Sequence, residues 1–270
     1  MGLGKMIRLR RLFAHPSGRL CSVAVDHFLG YHDALPTGLK DLPQTIRQVV
    51  AGRPDAVTMQ YGVVRTCWPP YAGQIPMIVQ STAGRPDDTA DEIFLGAEDA
   101  LRLGADALAI CAFVRGKTEA FHLRRVADAV RQADPWGLPV ILHVYPRKWQ
   151  SDGKVDIVFT PEEIAWCVRC GIETGVDVIK VPYTGDPTTY GEILRACPTP
   201  VVAAGGPKCP TLLSALEMAA GVVRAGAKGM TVGRNIWGFP KITAAVEAFK
   251  AVIHDGRAPA QAMAELGLQD

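Results

Sequence analysis

The chain has 270 residues, 48% of them hydrophobic, with 27 Gly, 20 Pro and 7 Cys. Lys and Arg total 29 against 27 Asp and Glu, a formal charge of +2, so no global field draws it to nucleic acid or acidic lipid and any anion site must be local. The apolar content excludes a disordered chain. No run approaches the roughly 18 apolar residues of a membrane span, and the basic start MGLGKMIRLRRLF lacks the apolar core of a secretory signal. An odd cysteine count without regular spacing reads as reduced thiols in a cytoplasmic protein.

In chain order, short apolar, β-branched runs predict strands over 20–26, 55–59, 76–80, 106–113, 138–144, 177–181, 199–204 and 228–232. Runs such as VILHV and VVAA are continuous rather than alternating, which fits parallel strands covered by helices. Helical periodicity fills the gaps: Leu39–Val50, Asp88–Leu103, Glu119–Ala133, Thr160–Thr174, Pro187–Arg195, Pro210–Ala225 and Lys241–His254. In the fourth of these, Thr160 is placed to cap and Pro161 takes the first helical position. The phrases LRLGADAL, ETGVDVI and VRAGAKGM repeat one pattern of helix end, glycine and strand, where glycine suits a left-handed cap. Eight β-then-α units predict an α/β fold, a (β/α)8 barrel, with residues 1–270 forming one domain. The alternative, a doubly wound open sheet, lacks its G-x-G-x-x-G after the first strand.

Barrel active sites lie at the C-terminal ends of the strands. Those ends hold Asp26, His27, Gln60, Gln80, Phe113, His143, Tyr145, Lys180, Gly205, Gly206, Gly233 and Arg234. Lys180 sits inside an apolar strand run, DVIKVPY, where an ammonium ion is costly unless paired or neutralised. Desolvation lowers a lysine's pKa and frees a nucleophilic amine; the bland alternative is a lysine that snorkels out or pairs with one carboxylate. Two late loops, AAGGPK (203–208) and TVGRN (231–235), each follow a strand and precede a helix. Their Gly205, Gly206 and Gly233 leave backbone N–H groups open to an anion, and Arg234 adds a charged fork. Asp26 and Tyr145 complete a proton-transfer set, with His27 and His143 as neighbours. Cys167 and Cys170 form a C-x-x-C inside a predicted helix with no second ligand pair, so neither metal nor redox work is expected there. Trp68–Tyr71 is expected to be a rigid aromatic loop bordering the substrate or a subunit contact.

The segments V-D-H (25–27), Y-P-R (145–147), D-V-I-K-V-P-Y-T-G-D (177–186), A-G-G-P-K (204–208) and G-R-N-I (233–236) together resemble the archaeal-type class I fructose-bisphosphate aldolases. This DeoC-like group includes 2-amino-3,7-dideoxy-D-threo-hept-6-ulosonate synthases and the autoinducer-2 thiolase, and the resemblance spans about residues 20 to 255. It implies a barrel assembled into decamers or related homo-oligomers, with no metal and no cofactor. By motif match it implies Lys180 as the Schiff-base lysine, Tyr145 as the acid/base residue, Asp26 as the assisting carboxylate, and Gly205, Gly206, Gly233 and Arg234 as phosphate-binding positions. Four departures are expected to line the substrate end away from the phosphate loops: Phe28 after His27, Gln60-Tyr61 where a lysine is common, His143 in place of a tryptophan, and Lys148 after Y-P-R. The expectation is therefore a class I, metal-independent aldehyde-lyase acting on a phosphorylated sugar, with dihydroxyacetone phosphate as product or donor. Alternatives are a transaldolase-like synthase or thiolase of the same family, a phosphosugar isomerase using Asp26 and Tyr145, and a non-catalytic phosphate-binding barrel.

Overall fold

The computed structural model describes residues 2–30 and 35–269. Its strands are β1 (Leu20–Ala24), β2 (Ala56–Gln60), β3 (Met77–Gln80), β4 (Thr82–Gly84), β5 (Asp91–Ile93), β6 (Ala107–Val114), β7 (Val140–Trp149), β8 (Val155–Ile157), β9 (Val178–Val181), β10 (Val201–Ala204) and β11 (Gly229–Val232). Eight of them, β1, β2, β3, β6, β7, β9, β10 and β11, pair in parallel as a closed ring. The pairs β6–β7 and β1–β11 complete the circle, so the fold is a (β/α)8 barrel. Closure rules out the open-sheet alternative. Among the described residues no helix is long and apolar enough to cross a membrane.

The barrel interior is layered. Its lower end holds Leu20, Ala56, Ile78, Ala107, Ala109, Ile141, Val178 and Val202 as one apolar cluster. Above them Ser22 and Thr231 share a 2.7 Å hydrogen bond across the β1–β11 pair, and above these come the strand ends that carry the site. Alternation of side chains along each strand makes this stacking automatic. At the bottom, the aspartates preceding β2, β6 and β9 repeat one device. Asp55, Asp106 and Asp177 accept the backbone N–H of Cys21, Met77 and Val140 at 2.6, 3.1 and 2.9 Å, tying each of these strands to the one before it around the ring. Each carboxylate also meets a basic group: His254 at 2.9 Å, Arg11 at 3.2 Å and Lys5 at 3.1 Å.

Lys5 and Arg11 belong to a helix, Leu3–Leu12, that is not among the predicted elements. Its apolar side plugs the barrel floor: Leu12 is fully buried in the lower cluster, and Leu9 and Phe13 pack against it. Leu12→Ala leaves a cavity in a rigid layer and is expected to destabilise the fold by about 2–5 kcal/mol, read as a lower urea midpoint at unchanged m-value.

The predicted elements follow in order, joined by short helices at Tyr61–Cys67, Arg234–Trp237 and Pro259–Glu265 that were not predicted, and three of the predicted elements differ in extent or capping. The helix expected over Asp88–Leu103 is confined to Ala97–Arg102, and residues 82–93 form the β4–β5 antiparallel hairpin instead. Charges from distant elements hold it: Arg147 pairs with Asp88 at 2.6 Å, His122 lies 3.2 Å from Asp88, and Arg125 pairs with Asp91 at 2.5 Å. Asp88 also has a left-handed φ of 61°, which no helix accommodates. Second, the fifth barrel strand runs on past 144 to Trp149 and folds back against β8. Third, the 160–174 helix starts as expected, with Pro161 in its first turn, but the Thr160 hydroxyl makes no cap bond. The three predicted glycine caps, Gly104, Gly175 and Gly226, all have positive φ. Trp68 is buried in the helix–sheet core with its ring 5.7 Å from Tyr71, so the expectation of a substrate-bordering or subunit-contacting loop is corrected for this side chain.

Candidate active site

Lys180 is the second-to-last residue of β9, and its Cα is in register with His143 of β7 and Val202 of β10. Because the chain alternates, the position that puts Val178 into the lower apolar cluster also turns Lys180 to the barrel axis, one layer higher. It is 4% exposed, and among the described residues no carboxylate forms a salt bridge with it. Both bland readings, the snorkelling lysine and the paired one, are thereby excluded. Burial is the largest influence on the amine and lowers its pKa below 10.5. The Arg234 cation pushes the same way, and Asp26 only partly opposes them.

Two connected hollows meet at this amine. The first, about 290 Å³, is lined by Asp26, Gln60, Gln80, Thr82, Cys111 and His143, among others. The second, about 540 Å³, is lined by Gly205, Gly206, Thr231 and Gly233. His27, Tyr145, Lys180 and Arg234 border both. All ten residues singled out from the sequence as catalytic, phosphate-binding or substrate-contacting thus share one barrel mouth. Of the four departures from the family pattern, Gln60 and His143 line the first hollow, as expected. Phe28 and Lys148 do not: Phe28 is 53% exposed and lines an adjoining apolar groove that shares Asp26, Leu29 and Gln60 with the first hollow, and Lys148 is exposed on the β7–β8 hairpin opposite Asp156. Both lie beyond the strand segments that point inward, where alternation no longer fixes direction.

The glycine loops are shaped by contacts that larger residues would break. Gly206 has a φ of 67°, and a Cβ on Gly233 would sit 2.3 Å from His27 Cε1. Asn235, fully buried, ties the loops together. Its Nδ2 donates to Gly205 O at 2.7 Å and Pro207 O at 2.9 Å, while its Oδ1 accepts from Cys209 N at 2.7 Å. Trp237 donates to Ala24 O at 2.9 Å and packs edge-on to His27, 5.4 Å between centroids. His27 Nδ1 lies 3.4 Å from Asp26 Oδ1, yet desolvation outweighs that carboxylate and holds the imidazole pKa below its ordinary value, so the ring is neutral at neutral pH.

Several of these contributors carry little signal in the sequence. Gln80 and Asn235 were visible only as a strand end and as the last letter of a G-R-N motif. Arg147 stood in the Y-P-R motif, but its side chain is turned away from the chemistry to hold Asp88 and the Pro86 carbonyl of the hairpin. Cys167 and Cys170 lie on the buried face of their helix, and desolvation pushes the Cys170 thiol up to about 11, so neither presents a thiolate.

The arrangement sets a desolvated amine, its pKa held below the ordinary lysine value, beside a glycine-rich loop pair with an arginine, which is equipment suited to covalent chemistry on an anionic carbonyl compound. Residues 20–238 match the profile of the DeoC/LacD family aldolases. The chain belongs to this aldolase family. It is 33% identical to the 2-amino-3,7-dideoxy-D-threo-hept-6-ulosonate synthase of Halobacterium salinarum, over 98% of this chain and 97% of that protein. It is 28% identical to the 2-amino-4,5-dihydroxy-6-oxo-7-(phosphonooxy)heptanoate synthase of Streptomyces griseus, over 96% of each. A solved Schiff-base-forming fructose-1,6-bisphosphate aldolase superposes with a TM-score of 0.80 at 27% identity, covering 92% of this chain and 99% of that one. Schiff-base class I aldolases are thus among the relatives of this barrel, and the synthases match it over nearly its whole length.

Proposed function

We propose that this aldolase-family chain forms or cleaves a carbon–carbon bond next to a ketone through an imine on Lys180, with dihydroxyacetone phosphate as the donor half. The observation that carries this reading is the buried, unpaired amine where the two hollows meet. The relatives' names support the choice of donor. Fructose 1,6-bisphosphate and a 4,5-dihydroxy-6-oxo-7-(phosphonooxy)heptanoate both carry a ketone one carbon from a phosphate ester, with a hydroxyl β to that ketone. The halves beyond that hydroxyl differ, so the donor is the common part.

In the condensing direction the Lys180 amine adds to the donor ketone, and loss of water leaves an iminium that acts as the electron sink. Removal of an α-proton gives the enamine, whose carbon attacks the acceptor aldehyde. Tyr145, bordering both hollows, moves the protons, with Asp26 assisting. The glycine loops and Arg234 hold the phosphate, so that its binding energy orients the carbonyl against the amine. Borohydride reduction in the presence of dihydroxyacetone phosphate, followed by peptide mass spectrometry, is expected to label Lys180; an unlabelled Lys180 overturns the reading. Arg234→Met should lower kcat/KM for phosphorylated substrates by about 10- to 100-fold, as expected for one lost charge-assisted bond. The same variant should leave turnover of unphosphorylated dihydroxyacetone near the parent value, which a steady-state comparison of the two donors measures.

A further inference from the structure

The wall of the first hollow contains a hydrogen-bond chain whose polarity has only one solution. Gln80 Oε1 faces two donors on Thr82, the backbone N–H at 3.4 Å and the hydroxyl at 3.1 Å. The Thr82 hydroxyl in turn accepts from Cys111 N at 2.9 Å, so its own proton is free to go to Gln80. On the other side of the amide, Gln80 Nε2 lies 3.1 Å from Asp26 Oδ2 and 3.2 Å from His143 Nδ1. Flipping the amide would press its oxygen against the Asp26 carboxylate and its NH2 against the Thr82 N–H, so the orientation is set from both ends. An NH2 group only donates. His143 Nδ1 must therefore accept, and the ring proton resides on Nε2. Desolvation and the neighbouring Lys180 cation hold this imidazole far below its ordinary pKa, so it is the neutral Nε2–H form that stands in the wall. Its ring lines the first hollow and not the glycine-loop one, and its Nε2 has no partner among the described residues.

We propose that Gln80, locked by Thr82, presets His143 as a fixed Nε2–H donor to the carbonyl oxygen of the acceptor aldehyde. This rests on the proposed aldolase reading, because the first hollow lies across Lys180 from the phosphate loops and so receives the acceptor. When the enamine carbon bonds to the aldehyde carbon, the carbonyl π pair moves onto the aldehyde oxygen. That oxygen takes a proton from Tyr145, and His143 holds it by a hydrogen bond without giving up its own proton. A donor aimed where charge develops, and not itself titrating, stabilises that step at no reorganisation cost. Gln80 is a positioning residue here; His143 touches the substrate.

Two measurements test this. In the resting protein labelled with 15N-histidine, His143 should show the Nε2–H tautomer at neutral pH, its signals assigned among the six histidines from the His143→Gln spectrum. Gln80→Glu, which offers an acceptor to Nδ1, should convert it to Nδ1–H or to the charged form. A wild-type His143 already protonated at Nδ1 overturns the proposal, and this readout stands whether or not the protein is an aldolase. In turnover, Gln80→Leu should lower kcat for carbon–carbon bond formation about 10- to 100-fold while borohydride trapping of the donor on Lys180 persists. Thr82→Val should move kcat in the same direction and Thr82→Ser should restore it. Unchanged kcat in Gln80→Leu with trapping intact defeats the proposal, whereas failure of the wild-type protein to trap donor defeats the aldolase reading instead.

Discussion

Lys180→Met is expected to abolish borohydride trapping and to lower turnover by about 10,000-fold or more, the scale on which loss of a covalent nucleophile is felt. Methionine fills a similar volume in the barrel axis, so the loss is chemical rather than a collapse of packing. The same substitution should raise stability. A buried lysine whose folded pKa lies below the 10.5 of the unfolded chain binds fewer protons when folded. Its penalty is therefore full at pH below the folded pKa and shrinks as pH climbs toward 10.5. The urea midpoint of Lys180→Met should exceed that of the parent at neutral pH, and the gap should narrow as the pH is raised. In the parent, the rate of imine formation should rise with pH through a midpoint below 10.5. A variant no more stable than its parent, together with a parental midpoint at that of free lysine, would show that the amine is neither desolvated nor tuned.

Tyr145→Phe is expected to cost about 100- to 1,000-fold in kcat, within the range for loss of one positioned acid/base group. Phenylalanine keeps the ring that packs 6.0 Å from Phe113 across the β6–β7 pair, so the fold and the donor KM should hardly move. What is lost is the hydroxyl of a residue that borders both hollows, the group that in the proposed mechanism moves protons in the dehydration of the carbinolamine and in the carbon–carbon step. Rapid-quench mass spectrometry should find a covalent adduct on Lys180 that forms and decays slowly. A kcat within a few-fold of the parent would remove Tyr145 from the proton-transfer role and give that role to Asp26 or to solvent.

The barrel itself was readable because its eight strands are unbroken apolar runs punctuated by glycine caps, and both signals are local. Lys180 was readable for the same reason: a charge in such a run violates the local pattern, and a violation at a strand end points to the site. The β4–β5 hairpin was not readable, because Ile93 at its end extends the helical spacing of Ala97, Ala100 and Leu101 back into it. What overrides that spacing are Arg147, His122 and Arg125, which reach Asp88 and Asp91 from β7 and from the Glu119–Ala133 helix. Phe28 and Lys148 were placed by motif position, and motif position gives no side-chain direction once the strand has ended or folded back.

The amino-acid order by itself determined which segments become the eight barrel strands, that helices separate them, and which residues gather near their C-terminal ends, since apolar periodicity and glycine placement act over a few residues. Tertiary structure alone decided that the Lys180 amine is desolvated without a carboxylate partner, and that Gln80, 63 residues from His143, dictates which imidazole nitrogen carries the proton. Desolvation and hydrogen-bond polarity depend on what surrounds an atom in space, and closing the ring is what brings those surroundings together.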